Sequence, residues 1–119
     1  MPETPTASWY DAPSRALEAL SAHTPARPGD RTMVDALAPF CSELAASGPS
    51  SSVTAVMNGA VGRAQSGAND TRRMKARLGR AVYVGSAKDA EGRGLPPDPG
   101  AWGVAAVIRG LWDGMQNTL

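Results

Sequence analysis

The chain has 119 residues and a formal net charge of +1, and 42% of its residues are hydrophobic. This length allows one domain with a modest core, and the small net charge gives no support for a nucleic-acid partner attracted by overall charge. The single cysteine, Cys41, excludes an internal disulfide and a cysteine-based zinc site. Because no stretch reaches membrane-span length and no signal peptide is recognisable, we expect a soluble, cytoplasmic protein without a membrane partner.

The first part of the chain predicts a short tail, a helix and a loop. Residues 1–8 are rich in Pro and Thr, and we expect them to be disordered. Apolar residues at helical spacing predict an amphipathic helix from about Ala7 to Ala22, with Pro13 tolerated only near its beginning. Two prolines and a glycine then predict a loop over residues 24–30.

A second helix is predicted from about Arg31 to Ala46, with Asp30 as its N-cap and a kink at Pro39. Its apolar face contains Met33, Leu37, Phe40, Cys41 and Leu44. On this face Cys41 is interpreted as a buried core thiol.

The third periodic segment runs from Val53 to about Leu78 and predicts the longest helix. Gly59, Gly62 and Gly67 weaken its intrinsic helicity by about 1 kcal/mol each. Packing must therefore stabilise this helix, and such small residues permit the close approach of another helix or a ligand.

A long connection follows, from Gly79 to Pro97, and then a fourth helix. Asp98 is a suitable N-cap for this helix, and Pro99 suits its first position because no N–H is needed there. Its apolar positions are Ala101, Trp102, Ala105, Ile108, Leu111, Trp112 and Met115. Since no strand alternation is sustained anywhere, the predicted fold class is all-α, a bundle of about four amphipathic helices.

Few residues suggest chemistry by type and spacing alone. The basic residues Arg72, Arg73, Lys75, Arg77 and Arg80 are typical either of a solvated helix end or of a phosphate contact. His23 has no partner at metal-ligand spacing, and Asp30 and Asp35 point to different faces of one helix. No phosphate-binding loop and no dinucleotide fingerprint is present. The chain therefore shows no self-contained catalytic constellation.

Three motifs taken together resemble a known family. Residues 28–39 read PGDRTMVDALAP, residues 67–71 and 74–85 read GANDT and MKARLGRAVYVG, and residues 98–101 read DPGA. In order and spacing they resemble the nucleotide-binding (DhaL, or DAK2) domain of dihydroxyacetone kinases. The resemblance covers residues 9–119, which would form the C-terminal part of that domain.

The resemblance implies a helical barrel, here partial, with ATP or ADP bound at one end. By position, Thr32 and Met33 would lie against the nucleotide, and Arg80 would contact its phosphate or ribose side. Asp98, Pro99 and Gly100 would form part of the same pocket. In the complete enzyme, Mg-ATP phosphorylates dihydroxyacetone held covalently on a histidine of a separate (DhaK-type) domain.

The chain also departs from the family pattern. The family's magnesium-binding aspartate cluster and the Gly/Ser-rich phosphate loop after it have no counterpart here. Thr24 stands where the family usually has a nucleotide-contacting glycine, and Asn69 replaces a usual glutamate. Phosphoryl transfer depends on a metal and positioned donors, so we expect no kinase turnover from this chain alone and assign it no catalytic residue.

The sequence leaves three functions open. In the first, the chain is the C-terminal part of a dihydroxyacetone kinase, completed by a missing half-domain or a partner chain. Alternatively, it is a non-catalytic helical module that binds nucleotide, self-associates or docks on a full-length kinase. A third possibility is the ADP-binding subunit of a phosphotransferase-system dihydroxyacetone kinase.

Overall fold

The computed structural model describes residues 6–47, 52–74 and 96–118, which form four α-helices. These are α1 (Thr6–Ser21), α2 (Val34–Ser47), α3 (Val53–Asp70) and α4 (Pro99–Thr118), with a 3-10 turn at Thr71–Arg73 after α3. No strand occurs in these three ranges, so the all-α prediction is confirmed. Helix α1 begins at Thr6, inside the span 1–8 that was expected to be disordered.

The core residues show that successive helices run antiparallel. One cluster joins Ala36 at the start of α2 to Ala64 and Ala68 near the end of α3 and to Ala101 and Ala105 at the start of α4. A second cluster joins residues from the other ends of α2 and α3 to the first turns of α1, namely Tyr10, Leu44, Val56 and Ala60. The starts of α2 and α4 therefore meet the end of α3 at one end of the bundle, hereafter the Ala36 end.

Close packing of α2 against α3 depends on Gly67, as the small residues of α3 suggested. A Cβ atom built on Gly67 would lie 2.0 Å from the carbonyl oxygen of Asp35 and 2.9 Å from Cγ of Pro39. Around Gly62, in contrast, nothing lies within 4 Å of such an atom. At Gly59, the added atom would make only an ordinary contact, 3.6 Å from Oε1 of Glu43. The prediction of close helix approach is thus confirmed at Gly67 and does not hold at Gly59 or Gly62.

Two helix boundaries differ from the sequence prediction. Helix α2 begins at Val34 instead of Arg31, because Gly29 (φ 96°) and Arg31 (φ 63°) adopt left-handed conformations that an α-helix cannot contain. Helix α3 ends at Asp70, and Met74 is extended (φ −94°, ψ 146°), so the helix does not continue to Leu78. Leu78 itself lies outside the described residues.

Both prolines lie further inside their helices than simple backbone rules favour. Pro13 is the eighth residue of α1, although it was expected only near the beginning, and Pro39 is the sixth residue of α2. Each proline removes one backbone donor, and packing of the helix faces compensates for that loss. Ser14 also links α1 to α2, since its hydroxyl donates to the carbonyl oxygen of Cys41 at 3.2 Å.

Helix α4 buries a narrower face than its apolar pattern predicted. Ala101, Ala105 and Trp112 are buried, and the indole N–H of Trp112 donates to Oδ1 of Asn58 at 2.9 Å. Other large apolar side chains of α4 remain exposed, namely Trp102, Val107, Leu111 and Met115. The apolar positions of α4 therefore cover more of its surface than the core does, because periodicity alone does not tell which apolar positions face the core.

Candidate functional site

The start of α2 is held by hydrogen bonds to the Asp35 carboxylate. Oδ1 of Asp35 accepts from the backbone N–H of Gly29 at 2.6 Å, and Oδ2 accepts from the N–H of Thr32 at 2.9 Å. The Thr32 hydroxyl in turn accepts from the N–H of Val34 at 3.1 Å. This reciprocal arrangement is a variant of the capping box.

Asp30 has a different role from the predicted N-cap of α2. Its carboxylate accepts from the backbone N–H of Arg27 at 2.9 Å and so stabilises the loop before the helix. Thr32 and Asp35 cap the helix instead, and the assignment of the cap to Asp30 was wrong. The spacing Thr32-x-x-Asp35 could have shown this in the sequence, because it is the spacing of a capping box.

The start of α4 is capped by Asp98, as the sequence predicted. Oδ2 of Asp98 accepts from the backbone N–H of Ala101 at 3.0 Å, and Pro99 is the first residue of the helix. The N–H of Asp98 donates to the hydroxyl of Thr71 at 2.7 Å, which fixes the cap against the end of α3. Both side chains are buried, with Thr71 0% and Asp98 7% exposed.

Arg31 connects the two helix starts. Its Nε donates to the carbonyl oxygen of Thr71 at 3.0 Å, and its Nη2 donates to the carbonyl oxygen of Pro96. Its Nη1 lies 3.9 Å from Oδ1 of Asp98, and the residue is only 3% exposed. The sequence did not single out Arg31, because arginine side chains are rarely buried.

Five of the six predicted site residues come together at the Ala36 end. A Cβ atom built on Gly100 would lie 3.6 Å from Cβ of Met33 and 3.7 Å from its backbone nitrogen. Thr32 and Pro99 are the sequence neighbours of these two residues, and Asp98 caps the same turn. Arg80, the sixth, lies outside the described residues.

A cavity of about 460 Å³ opens beside Met33. It lies between the end of α1, the loop after it and the turn before α2, and is lined by Leu20, Thr24, Pro25, Ala26, Thr32, Met33 and Val34. A second groove, of about 540 Å³, lies between α3 and α4 and includes Asn69, Trp102 and Arg109. Of these two cavities in the described part of the chain, the first includes the predicted site residues Thr32 and Met33, together with Thr24, so we take it as part of the candidate site.

The remaining candidate groups give little chemistry of their own. His23 is exposed, and Cys41 is buried, in agreement with its interpretation as a core thiol. Burial raises the pKa of the Cys41 thiol above its ordinary value, which keeps it protonated and unreactive at neutral pH. Within the described ranges, no three or more His, Cys, Asp or Glu side chains form a group that could hold a metal ion.

The capped starts of α2 and α4 therefore meet at one end of a helical bundle, and the cavity beside Met33 opens next to the start of α2. The family model for the DAK2 domain matches residues 2–113, and the chain belongs to this family. It is 46% identical over 98 residues to dihydroxyacetone kinase of Pichia angusta, covering 81% of this chain and 15% of that protein.

Two further relatives show the same relation. Dihydroxyacetone kinase 2 of Saccharomyces cerevisiae is 46% identical over 101 residues, which is 81% of this chain and 15% of the relative. Triokinase/FMN cyclase of Homo sapiens is 36% identical over 116 residues, which is 97% of this chain and 19% of the relative. The chain thus spans less than a fifth of the length of these relatives. In the part of the chain that the structure describes, no helix is long and apolar enough to cross a membrane.

Proposed function

We propose that this chain supplies one side of the nucleotide pocket of a dihydroxyacetone kinase. The observation that supports this most directly is the contact between the starts of α2 and α4, where Gly100 packs against Met33. A glycine in this position lets the two helix starts approach closely, because a Cβ atom there would lie 3.2 Å from Oδ2 of Asp98 and 3.6 Å from Cβ of Met33. Membership of the DAK2 family and the kinase relatives support the assignment.

The residues present fit a nucleotide in three respects. The positive ends of two helix dipoles, at α2 and α4, favour a phosphate group near Thr32 and Gly100. Met33 is 38% exposed and offers a flexible apolar surface against a base. By resemblance, Arg80 would add a guanidinium for the phosphate or ribose side.

The described residues do not fit a magnesium ion. Both buried carboxylates at the Ala36 end accept from backbone N–H groups, Asp35 from Gly29 and Thr32 and Asp98 from Ala101. Turning either toward a metal would break the cap of α2 or of α4. We therefore propose that the metal carboxylates of the complete enzyme come from outside these residues, and that this chain alone does not phosphorylate dihydroxyacetone.

A partner for the outer face of α4 belongs to the same proposal. Val107, Leu111 and Met115 follow one another at four-residue steps on this face and expose 62%, 65% and 53% of their surface. We propose that the aspartate-bearing segment of the family domain covers this face, contributed by a longer form of this polypeptide or by another chain. The alternative of a regulatory module docking on a kinase would use the same apolar surface.

Calorimetric titration with ADP and with a non-hydrolysable ATP analogue tests the pocket. The wild-type chain is expected to bind, and Gly100→Ala to weaken ADP binding about tenfold, because the added methyl lies between Met33 and Asp98. Gly103→Ala is the matched control, since nothing lies within 4 Å of its added methyl in the same helix. Equal affinities in the two variants, or no binding by the wild type, would contradict the proposed pocket.

A further inference from the structure

Arg31 has no role in the pocket proposed above, yet it contacts both of its walls. We propose that Arg31 is a positioning residue that holds the Asp98–Gly100 wall at a fixed distance from the Thr32–Met33 wall. This inference rests on the proposed nucleotide pocket and adds the residue that assembles it. Three observations support it.

The first observation is the backbone conformation of Arg31. Its φ of 63° lies in the left-handed region, which is unfavourable for a residue that carries a Cβ atom. Such strain persists only where surrounding contacts over-determine the conformation, and it is concentrated at functional sites. The conformation lets Arg31 be buried while Met33, two residues later, is exposed at the surface.

The second observation is the number of segments that one guanidinium joins. Its nitrogen atoms reach the carbonyl oxygens of Thr71 and Pro96 and the carboxylate of Asp98. Thr71 follows α3, and the other two acceptors immediately precede α4. A planar fork of donors reaches several acceptors at once, whereas the single ammonium of a lysine bonds from one point.

The third observation is the use of both Asp98 oxygens. Oδ2 is bonded to the N–H of Ala101, and Oδ1 faces Nη1 of Arg31. Without Arg31, the carboxylate keeps its helix cap but loses its connection to the turn before α2. No side chain from the turn before α2 would then fix the distance between Met33 and Gly100.

The experiment compares the wild-type chain with Arg31→Met, which keeps an unbranched apolar stem, and Arg31→Lys, which keeps the charge. ADP affinity is measured by calorimetry at a temperature and urea concentration where circular dichroism shows each variant to be folded. We expect the dissociation constant to rise at least tenfold in Arg31→Met and about threefold in Arg31→Lys. Arg63→Met is the control, because Arg63 forms only an exposed pair with Glu43 at 3.7 Å.

Amide hydrogen exchange of the same variants separates this inference from the proposed function. Exchange at Ala101 and Trp102, whose N–H groups bond to Asp98, should accelerate in Arg31→Met, while the interior of α3 around Ala64 keeps its protection. If the wild type binds no ADP, the proposed function fails, and this local exchange pattern still decides the role of Arg31.

Three results would overturn the inference. One is an unchanged ADP affinity together with unchanged exchange at Ala101 in Arg31→Met. Another is an equal acceleration of exchange in all helices, which would mean that Arg31 contributes only to global stability. If Arg31→Met does not fold, the test is made with Arg31→Lys. An ADP affinity and an amide exchange rate at Ala101 equal to those of the wild type would then overturn the inference.

Discussion

The starts of α2 and α4 look alike, since each is capped by a buried aspartate, but they are held in different ways. At α2, Asp35 bonds to residues three and six positions away, Thr32 and Gly29. At α4, Asp98 bonds to Thr71, 27 positions away, and Arg31 bonds to Pro96, 65 positions away. Local bonds therefore hold the first wall of the proposed pocket, whereas the second combines its local cap with bonds to distant parts of the chain.

The largest effect is expected at the α4 start. Asp98→Ala removes the cap and leaves the buried Arg31 guanidinium without its carboxylate, which should lower the free energy of unfolding by about 3–5 kcal/mol. Urea denaturation measures this loss. Asp113→Ala breaks the exposed pair with Arg109 in the same helix and should change stability by less than about 0.5 kcal/mol. A similar loss of stability in Asp98→Ala and Asp113→Ala would mean that the bonds of Asp98 to distant parts of the chain contribute nothing measurable.

The next effect is expected where α3 supports the start of α2. Gly67→Ala places a methyl 2.0 Å from the Asp35 carbonyl oxygen, so the two helices must separate at a cost of about 3 kcal/mol. Gly62→Ala, with open space around its added methyl, should instead gain up to about 1 kcal/mol from helix propensity. Thermal unfolding followed by circular dichroism compares them, and a stable Gly67→Ala would contradict the packing described for α2 and α3.

A smaller loss is expected at the locally held wall. Asp35→Asn replaces one acceptor oxygen by an amide group that faces a backbone N–H, at a cost of about 2 kcal/mol. Asp30→Asn is the control, since an amide oxygen can still accept the single bond from Arg27. Urea midpoints of the two variants give the comparison. A larger loss of stability in Asp30→Asn than in Asp35→Asn would mean that the loop before α2, and not the capping box, holds this wall.

The smallest effect is expected at the start of α3, where Ser52 forms a local cap. The exposed hydroxyl of Ser52 accepts from the N–H of Ala55 at 3.1 Å, so Ser52→Ala should cost about 1 kcal/mol. Ser66→Ala, an exposed change inside the same helix, should be neutral or slightly stabilising. Chemical denaturation gives both values, and a loss at Ser52 as large as that at Asp98 would show that tertiary contacts do not distinguish the helix starts.

The two helix starts also differ in how well the sequence predicted them. The cap at Asp98 and the proline after it are local signals, and they placed the start of α4 correctly. The start of α2 was placed three residues too early, because nothing in the composition shows that Arg31 adopts a left-handed conformation. Helix α3 was made too long, since its apolar spacing continues past the point where Thr71 turns to bond with Asp98.

The candidate site was predictable only in part, for a related reason. Motif resemblance identified Thr32, Met33, Asp98, Pro99 and Gly100, and the structure brings these residues together. The resemblance did not identify Asp35, whose buried carboxylate caps the start of α2, or Arg31, whose buried guanidinium contacts Pro96 and Asp98 before α4. Burial of a charged side chain depends on contacts between distant segments, which no local pattern of residues contains.

The alanine cluster beneath the site has a consequence for how the pocket responds to a ligand. Ala36, Ala64, Ala68, Ala101 and Ala105 have no rotatable side-chain torsions, so the centre of this cluster cannot change shape by changing rotamers. In the other cluster, Leu44 and Met57 can change rotamer and absorb a small displacement. A displacement at the starts of α2 and α4 therefore slides the helices along one another or changes the rotamers of Phe40, Val104 and Ile108, which pack around the alanines.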